Sequence, residues 1–545
     1  MKITSISLTN FRSFKKTQTI ELAPVTLLFG PNSVGKSSVL MAIAYVQHIL
    51  EKGECDPKKL DAMGGALIGG FQSLVHGNNL NETIKISIAF DSGNTPFSFY
   101  DNGLSELISL IPNANYLVMD DFADATECGE LEFEISWSKQ LNTAYVKCYR
   151  VWINKQYVGQ IQSDPGGKQT RIIELNGRHQ LLISSEHMEW LSNNSDELDS
   201  EYFESMETEL ESTLQRLNPN REEPPNKLST KAAREEFKNY VSPIGVKCKF
   251  GAIPFLSRPL VMNLNGDEIH DGLEDHLDFR VVQKTLTHAF VLPLDYLLNY
   301  LSHSAMIGPL RVVPNLDYVP NPHPEQKDWV DGSAAWDLLH KDPNKNEYIK
   351  KLLKDTSDCF GSTEKLNSGY EVINKSIAEA CQVDSSSEFT GLLNKRHLFF
   401  KELRSDFLLS ANQLGTGISQ ILPIVVAAHN GDLSLISVEQ PELHIHPRLQ
   451  VDLADIFIRS KDKHSFLIET HSEHLILRIL KRIRQTTNEE LPENIIGIVD
   501  SDISIIYLEP TKEGILTKKI RVDEDGEFID RWPKGFFAER REELL

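Results

Sequence analysis

The chain has 545 residues with 78 acidic side chains against 56 Lys plus Arg, a formal charge of −22. That length suits two to four domains and is ample for a buried core. Hydrophobic residues at 40% and charged residues at 25% exclude a mainly disordered chain. Strong acidity argues against broad coating of nucleic acid, whose phosphates it would repel, and leaves room only for a local basic groove. No apolar run approaches the roughly 18 residues of a membrane span. The start, Met1-Lys2-Ile3-Thr4-Ser5, lacks the pattern of a signal peptide. The six cysteines (Cys55, Cys128, Cys148, Cys248, Cys359, Cys381) are scattered without a C-x-x-C pair. We therefore expect neither a zinc site nor a disulfide framework, and a reducing, cytoplasmic setting.

In chain order, Ile3, Ile6 and Leu8 predict a short strand, and Ile20 with Leu22 another. Val25 to Phe29 is a compact apolar run that stops at Gly30-Pro31, as a buried parallel strand would. From Ser37, apolar residues at Val39, Leu40, Ile43, Val46 and Leu50 fall at helical spacing, and Gly53 is a plausible C-cap. Strands are expected over 83–90, 131–137, 144–152 and 181–184, which makes a β-rich lobe. From Asp196 to Glu211 there are eight acids and no base, with Phe203, Met206, Leu210 and Leu214 at helical spacing. A solvated amphipathic helix is the preferred reading there, an acidic interaction face the other. Asn218 to Asn220 and Pro224-Pro225 mark a linker. Strand and helix signals then alternate again: strands over 433–438 and 465–468, helices over 449–458 and 475–483. An α/β core is therefore expected, split by a long mixed α+β insertion and closed by a short C-terminal lobe containing β-structure. The expected domains are 1–185, 186–400, 401–490 and 491–545.

Gly30-Pro31-Asn32-Ser33-Val34-Gly35-Lys36-Ser37 fits G-x-x-x-x-G-K-[ST] in full. Its glycines let backbone N–H groups face phosphates, helped by the N-terminus of the following helix. Lys36 is expected on the β/γ-phosphates and the Ser37 hydroxyl on Mg²⁺. An acid at the end of an apolar strand is needed for that ion, and Leu433 to Val438 ends in Glu439-Gln440-Pro441-Glu442. A second apolar strand ends in Glu469-Thr470-His471-Ser472. Polar residues at such edges point into the crevice where α/β sheets bind ligands.

Asn10-Phe11-Arg12-Ser13-Phe14, Leu414-Gly415-Thr416-Gly417-Ile418-Ser419-Gln420, Glu439 to Pro447 and His471 occur in one order. That set resembles the first strand, signature loop, Walker B with D-loop, and switch histidine of ABC-type ATPases of the SMC/RecF/OLD kind. The resemblance implies an ABC-type P-loop NTPase core that dimerises around ATP. It would place Asn32, Ser33, Gly35, Lys36, Ser37 and Ser38 on the nucleotide. Ser37, Glu439 and a Q-loop residue, Gln72, would hold Mg²⁺, and Arg12 would flank the nucleotide. Gly415, Gly417 and Ser419 would come from the opposite subunit, while His471 senses the γ-phosphate. Glu439, Gln440 and His471 are the expected catalytic set. A narrower resemblance rests on Trp532-Pro533-Lys534-Gly535-Phe536-Phe537, Ile307 to Arg311 and Gly70 to Gly77. It is to the PtuA-type ATPase subunits of Septu and some retron antiphage systems. This implies a dimer or larger assembly controlling an HNH nuclease partner of PtuB type, with a reverse transcriptase and its nucleic acid in retron-linked members.

One position departs from that pattern. Gln440 stands where most such ATPases carry a catalytic glutamate, and an amide orients water without accepting its proton. Slow hydrolysis is the expectation, with Glu442 or His471 substituting in part. Two other readings stay open: a RecF-like ATPase that binds DNA itself, and an OLD-like nuclease. Asp500-Ser501-Asp502 resembles the D-x-D of the latter's nuclease domain, although a solvated turn is preferred. His444, His446, His471 and His474 fit phosphate or interface contacts better than metal ligation. Arg478, Lys481, Arg482 and Arg484 read as a solvated helix end before they read as a nucleic-acid contact.

Overall fold

The computed structural model describes residues 1–93, 126–176, 179, 244–262, 283–362, 365–382 and 389–531, and only the backbone of 378–382 and 389–395. The expected strand over 181–184, the acidic segment 196–211, the linker near Pro224 and the motif at Trp532 lie outside the described residues. The chain forms two compact units whose segments interleave in sequence. One comprises Met1–Thr19, Tyr45–Lys58 and Ile68–Tyr300; the other Ile20–Ala44, Lys59–Leu67 and Leu301–Leu545. These bounds differ from the expected ranges, most of all after Leu301, where part of an insertion is expected and the second unit is found.

The first unit is built on an antiparallel sheet. Its order is Ile253–Pro254, Ile244–Phe250, Thr170–Leu175, Gln156–Ser163, Thr143–Ile153, Cys128–Ser138, Ile84–Asp91, Lys2–Thr9 and Gln18–Glu21. Alternation makes this lobe: Leu131, Phe133 and Ile135 are buried on one face. Glu132 and Glu134 point the other way, paired across strands with Arg150, and Glu134 also with Lys147.

In the second unit the central sheet runs Ala305–Ile307, Leu435–Glu439, Ser465–Glu469, Val25–Phe29, Ile503–Thr511 and Gly514–Ile520. The first five are parallel neighbours and the last pairs antiparallel. Val25–Phe29 and Ser465–Glu469 are buried at every residue, which is why both read as continuous apolar runs. The segment expected as a separate C-terminal lobe thus supplies two strands of this sheet, and the expected insertion supplies an edge strand. Around the sheet stand helices Lys36–Lys52, Thr416–His429, Pro447–Ser460 and Glu473–Thr487. Thr416–His429 is buried continuously from Ser419 to Ala428 and sits within the core. Glu473–Thr487 buries the stripe Leu475, Ile476, Ile479, Leu480 and Ile483. No helix among the described residues is long and apolar enough to cross a membrane.

Candidate nucleotide site

Strand Val25–Phe29 delivers the chain to Gly30, where φ is +146° and a Cβ would meet the Leu508 carbonyl oxygen at 2.7 Å. Only glycine fits that bend. The loop turns again at Ser33 (φ +61°) and Gly35 (φ +108°) before the helix begins at Lys36. Lys36 is 3% exposed, and its ammonium donates to the Gly30 and Pro31 carbonyls, each at 3.0 Å. Its Nζ also lies 3.7 Å from Glu469 Oε1. Burial lowers the Lys36 pKa, while Glu469, Glu442 and Glu439 hold it up. The loop therefore already keeps a buried cation at the head of a helix, among carboxylates.

Two of those carboxylates come from neighbouring strands. Leu435–Glu439 and Ser465–Glu469 run parallel with Glu439 opposite Glu469. The Ser37 hydroxyl donates to Glu469 Oε2 at 2.8 Å. Burial pushes the Glu439 carboxyl up to about 7, reinforced by the Glu469 charge and opposed by Ser37 and Lys36. Glu469 is not among the expected site residues. Its signal is an acid ending an apolar strand, overshadowed by the histidine two positions later.

The turn after Glu439 is strained. Gln440 has φ +43°, in the left-handed region, and its N–H donates to the Glu469 carbonyl at 2.8 Å. Glu442, expected as a substitute base, has both oxygens engaged: Thr470 Oγ1 and the His471 N–H donate to them at 2.7 Å each. Its role here is to hold the segment that carries His471. Burial, and then Lys36, lower the His471 pKa against the pull of Glu469, which favours the neutral ring at pH 7.

Arg311 joins this turn to the signature segment, a role that sequence alone does not assign to it. It is 5% exposed; its guanidinium donates to the Glu439 carbonyl at 3.0 Å and the Gln440 carbonyl at 3.4 Å. The same group reaches the Gln420 carbonyl at 3.3 Å, and Gln420 Nε2 donates back to the Arg311 carbonyl at 2.7 Å. Burial lowers its pKa to about 10, with Glu442 opposing.

Gly415 precedes helix Thr416–His429 and is exposed. A Cβ on Gly417 would meet the His444 carbonyl oxygen at 2.8 Å, so the signature loop and the turn after Glu439 pack too closely for a side chain there. Ser419 departs from its expected place: it is fully buried and donates to the Ala411 carbonyl at 3.0 Å. The exposed hydroxyl residue of this loop is Thr416. Among the other loop residues, Asn32 and Ser33 are exposed and Ser38 is buried. His446 caps helix Pro447–Ser460 by accepting from the Arg448 N–H at 3.2 Å, a structural use of the residue.

Arg12 and Gln72 belong to the first unit. Arg12 (φ +49°) donates its N–H to the Leu74 carbonyl at 2.7 Å, and its own carbonyl bonds the His76 ring at 2.7 Å. Gln72 is exposed, its amide 3.4 Å from the Asn78 carbonyl. The N-F-R-S-F turn and the loop bearing Gln72 are thus neighbours within that unit.

The basic helix end is solvated only in part: Lys481 and Arg484 are exposed, whereas Arg482 is buried. Arg478 and Arg482 both hold Asp455 of helix Pro447–Ser460, with contacts of 2.6–3.1 Å, and Arg482 is 3% exposed. Arg484 pairs with Glu527. Burial would raise the Asp455 pKa, but the two arginines outweigh it and hold the carboxyl below its usual range. A depressed acid contributes stability above its unfolded pKa and loses it as pH falls through the folded value. Asp455→Asn is expected to cost about 2 kcal/mol at neutral pH, with the deficit shrinking on acidification, as read by urea unfolding at several pH values. Equal deficits at all pH values would show that charge is not the cause. Asp502, of the D-x-D sequence, lies 3.0 Å from Lys461 in a turn leading into the central strand Ile503–Thr511.

A protein-family model described as AAA ATPase domain matches residues 1–248 and 323–476, well over half of the chain. No curated protein matches. Among solved structures, the Smc head bound to the C-winged helix domain of ScpA is 10% identical, covering 96% of this chain and 99% of that chain with a TM-score of 0.40. The Smc head domain derived from Pyrococcus furiosus, with an extended coiled coil and bound to the C-terminal domain of ScpA, is 10% identical. It covers 100% of this chain and 98% of that chain, with a TM-score of 0.37. The SMC head domain from Thermotoga maritima is 8% identical over 96% of this chain and 100% of that chain, with a TM-score of 0.36. Likenesses this distant bear on neither substrate nor partner.

Proposed function

The chain belongs to the AAA ATPase domain family, and from that premise we propose that it is an ATP-driven switch that binds ATP·Mg²⁺, closes into a dimer and hydrolyses slowly. The observation that carries the reading is the phosphate loop, with Lys36 at the head of its helix and Ser37 bonded to an acid at a strand end. The oxygen donors gathered there, the Ser37 hydroxyl and the Glu439 and Glu469 carboxylates, are the hard ligands Mg²⁺ takes. When bound, that ion neutralises charge building on the β/γ-phosphates. The loop N–H groups and Lys36 hold the phosphates. Gln440 orients the attacking water, and neutral His471 offers a hydrogen bond to the terminal phosphate. Gly415, Gly417 and the exposed Thr416 would meet the nucleotide of a second subunit.

The biological setting follows from the narrower resemblance to PtuA-type subunits: an antiphage system in which the closed dimer controls an HNH nuclease. The reading of direct DNA binding is the less favoured one, since Arg478 and Arg482 are bound to Asp455 and Arg484 to Glu527. Purified from its host with ATP, the wild type is expected as a dimer or larger assembly with the nuclease attached. Lys36→Ala should lower ATP affinity by about 10²-fold or more, the loss of a charge-assisted phosphate contact in a buried site, and shift the protein toward monomer. Recovery of no nuclease with or without phage would refute the partner assignment, and unchanged ATP affinity in Lys36→Ala would refute the site.

A further inference from the structure

We propose that the divalent cation of the nucleotide is held between two strand-end carboxylates, Glu439 and Glu469, so that Glu469 is a metal-binding residue of this site. The proposal deepens the ATP reading and rests on it. Three features carry it. First, parallel register sets Glu469 directly beside Glu439 at the edge of the sheet that faces the phosphate loop. Second, the serine of that loop donates to Glu469 Oε2 at 2.8 Å, so Glu469 occupies the place of the acid that shares a metal with the loop hydroxyl. Third, a cation already stands beside the pair: Lys36 Nζ lies 3.7 Å from Glu469 Oε1 while donating to the Gly30 and Pro31 carbonyls.

A phosphate-bearing ligand draws Lys36 onto its β/γ-phosphates. Glu439 and Glu469 are then left beside each other and beside a polyanion, in a site where Glu469 is 7% exposed. Like charges that close, away from bulk water, repel strongly. A divalent cation with oxygen ligands relieves the repulsion of carboxylates and phosphates together. A single strand-end acid would leave metal-free nucleotide only weakly opposed. A pair makes binding steeply metal-dependent, so the site accepts the metal–nucleotide complex and rejects the bare nucleotide.

The test is binding of a fluorescent ATP analogue to the full-length protein, in excess Mg²⁺ and in EDTA. Glu469→Gln is expected to weaken binding about tenfold or more with Mg²⁺ and to strengthen it in EDTA, because one repelling charge has gone. Glu469→Asp, which keeps the charge, should retain the wild-type metal dependence. A merely structural role for Glu469 would weaken binding equally in both conditions, and that result would overturn the proposal. Wild-type protein that binds no nucleotide in either condition would remove the ATP reading and this inference with it, an outcome distinct from the last. Should the variants fold poorly, the wild type answers alone. With Mn²⁺, a non-hydrolysable analogue and ¹³C-carboxylate glutamate, pulsed electron paramagnetic resonance should detect two glutamate carboxylates at the metal. One only would overturn the assignment.

Discussion

Gln440→Glu should raise the single-turnover rate of ATP hydrolysis by about 10²-fold or more, the usual contribution of a placed general base. The position is favourable for this change. The Gln440 backbone is anchored through its N–H to the Glu469 carbonyl and through its carbonyl to Arg311, so a side chain of the same length starts from the same place. On the proposed reading, neither neighbour serves as the base. Glu442 is engaged by Thr470 and the His471 N–H, and burial lowers the His471 pKa, which makes that ring a weaker proton acceptor than an exposed imidazole. A wild type that turns over as fast as the variant would show that proton transfer is met elsewhere, and would remove the case for ATP as a latch. A slow wild type whose ATP-bound dimer outlives that of the variant would support it.

Arg311→Ala should destabilise the protein by about 3–5 kcal/mol, read by denaturant unfolding, because it strips a buried guanidinium from three carbonyls at once. Those carbonyls belong to Gln420, Glu439 and Gln440, so the same substitution frees the turn that carries the expected catalytic residues from the helix that follows the signature loop. Arg311→Lys should recover only part of the loss, since an ammonium cannot span both elements as a planar fork does. If stability falls by less than about 1 kcal/mol, water or neighbouring donors must already satisfy those carbonyls, and the bridging role of Arg311 fails.

Much of the nucleotide site is legible in one dimension, because its signals are local. The phosphate loop needs glycines at fixed spacing between a strand and a helix, and Gly30 and Gly35 indeed take φ values of +146° and +108°. Helix Lys36–Lys52 and strands Leu435–Glu439 and Ser465–Glu469 lie within a few residues of where periodicity places them. Harder to read are the contributions of residues distant in sequence. Ala305–Ile307 is too short for any periodicity to register, yet it forms an edge of the central sheet. Ile503–Thr511 reads as part of a separate lobe because nothing local says that it pairs with Val25–Phe29. Ser419 reads as one more hydroxyl of a phosphate-contacting loop, and the helix turns it instead toward Ala411.

By itself the sequence determined the chemistry on offer: a phosphate loop, an acid after an apolar strand, an amide at Gln440 and an acidic chain that does not suit broad nucleic-acid binding. Those are properties of residue type and short spacing, which backbone geometry converts into structure within a turn or two. Only the tertiary structure decided which acids share the site and what the basic residues do. Glu439 meets Glu469 through strand register, and Ser37 meets Glu469 across 432 positions of chain. The same long-range pairing binds Arg478 and Arg482 to Asp455 and turns an apparent basic face into a partly buried ion cluster. Hydrogen-bond register and burial act at separations that no sequence window spans. The −22 charge of the whole chain could not reveal that its phosphate loop keeps a lysine between carboxylates.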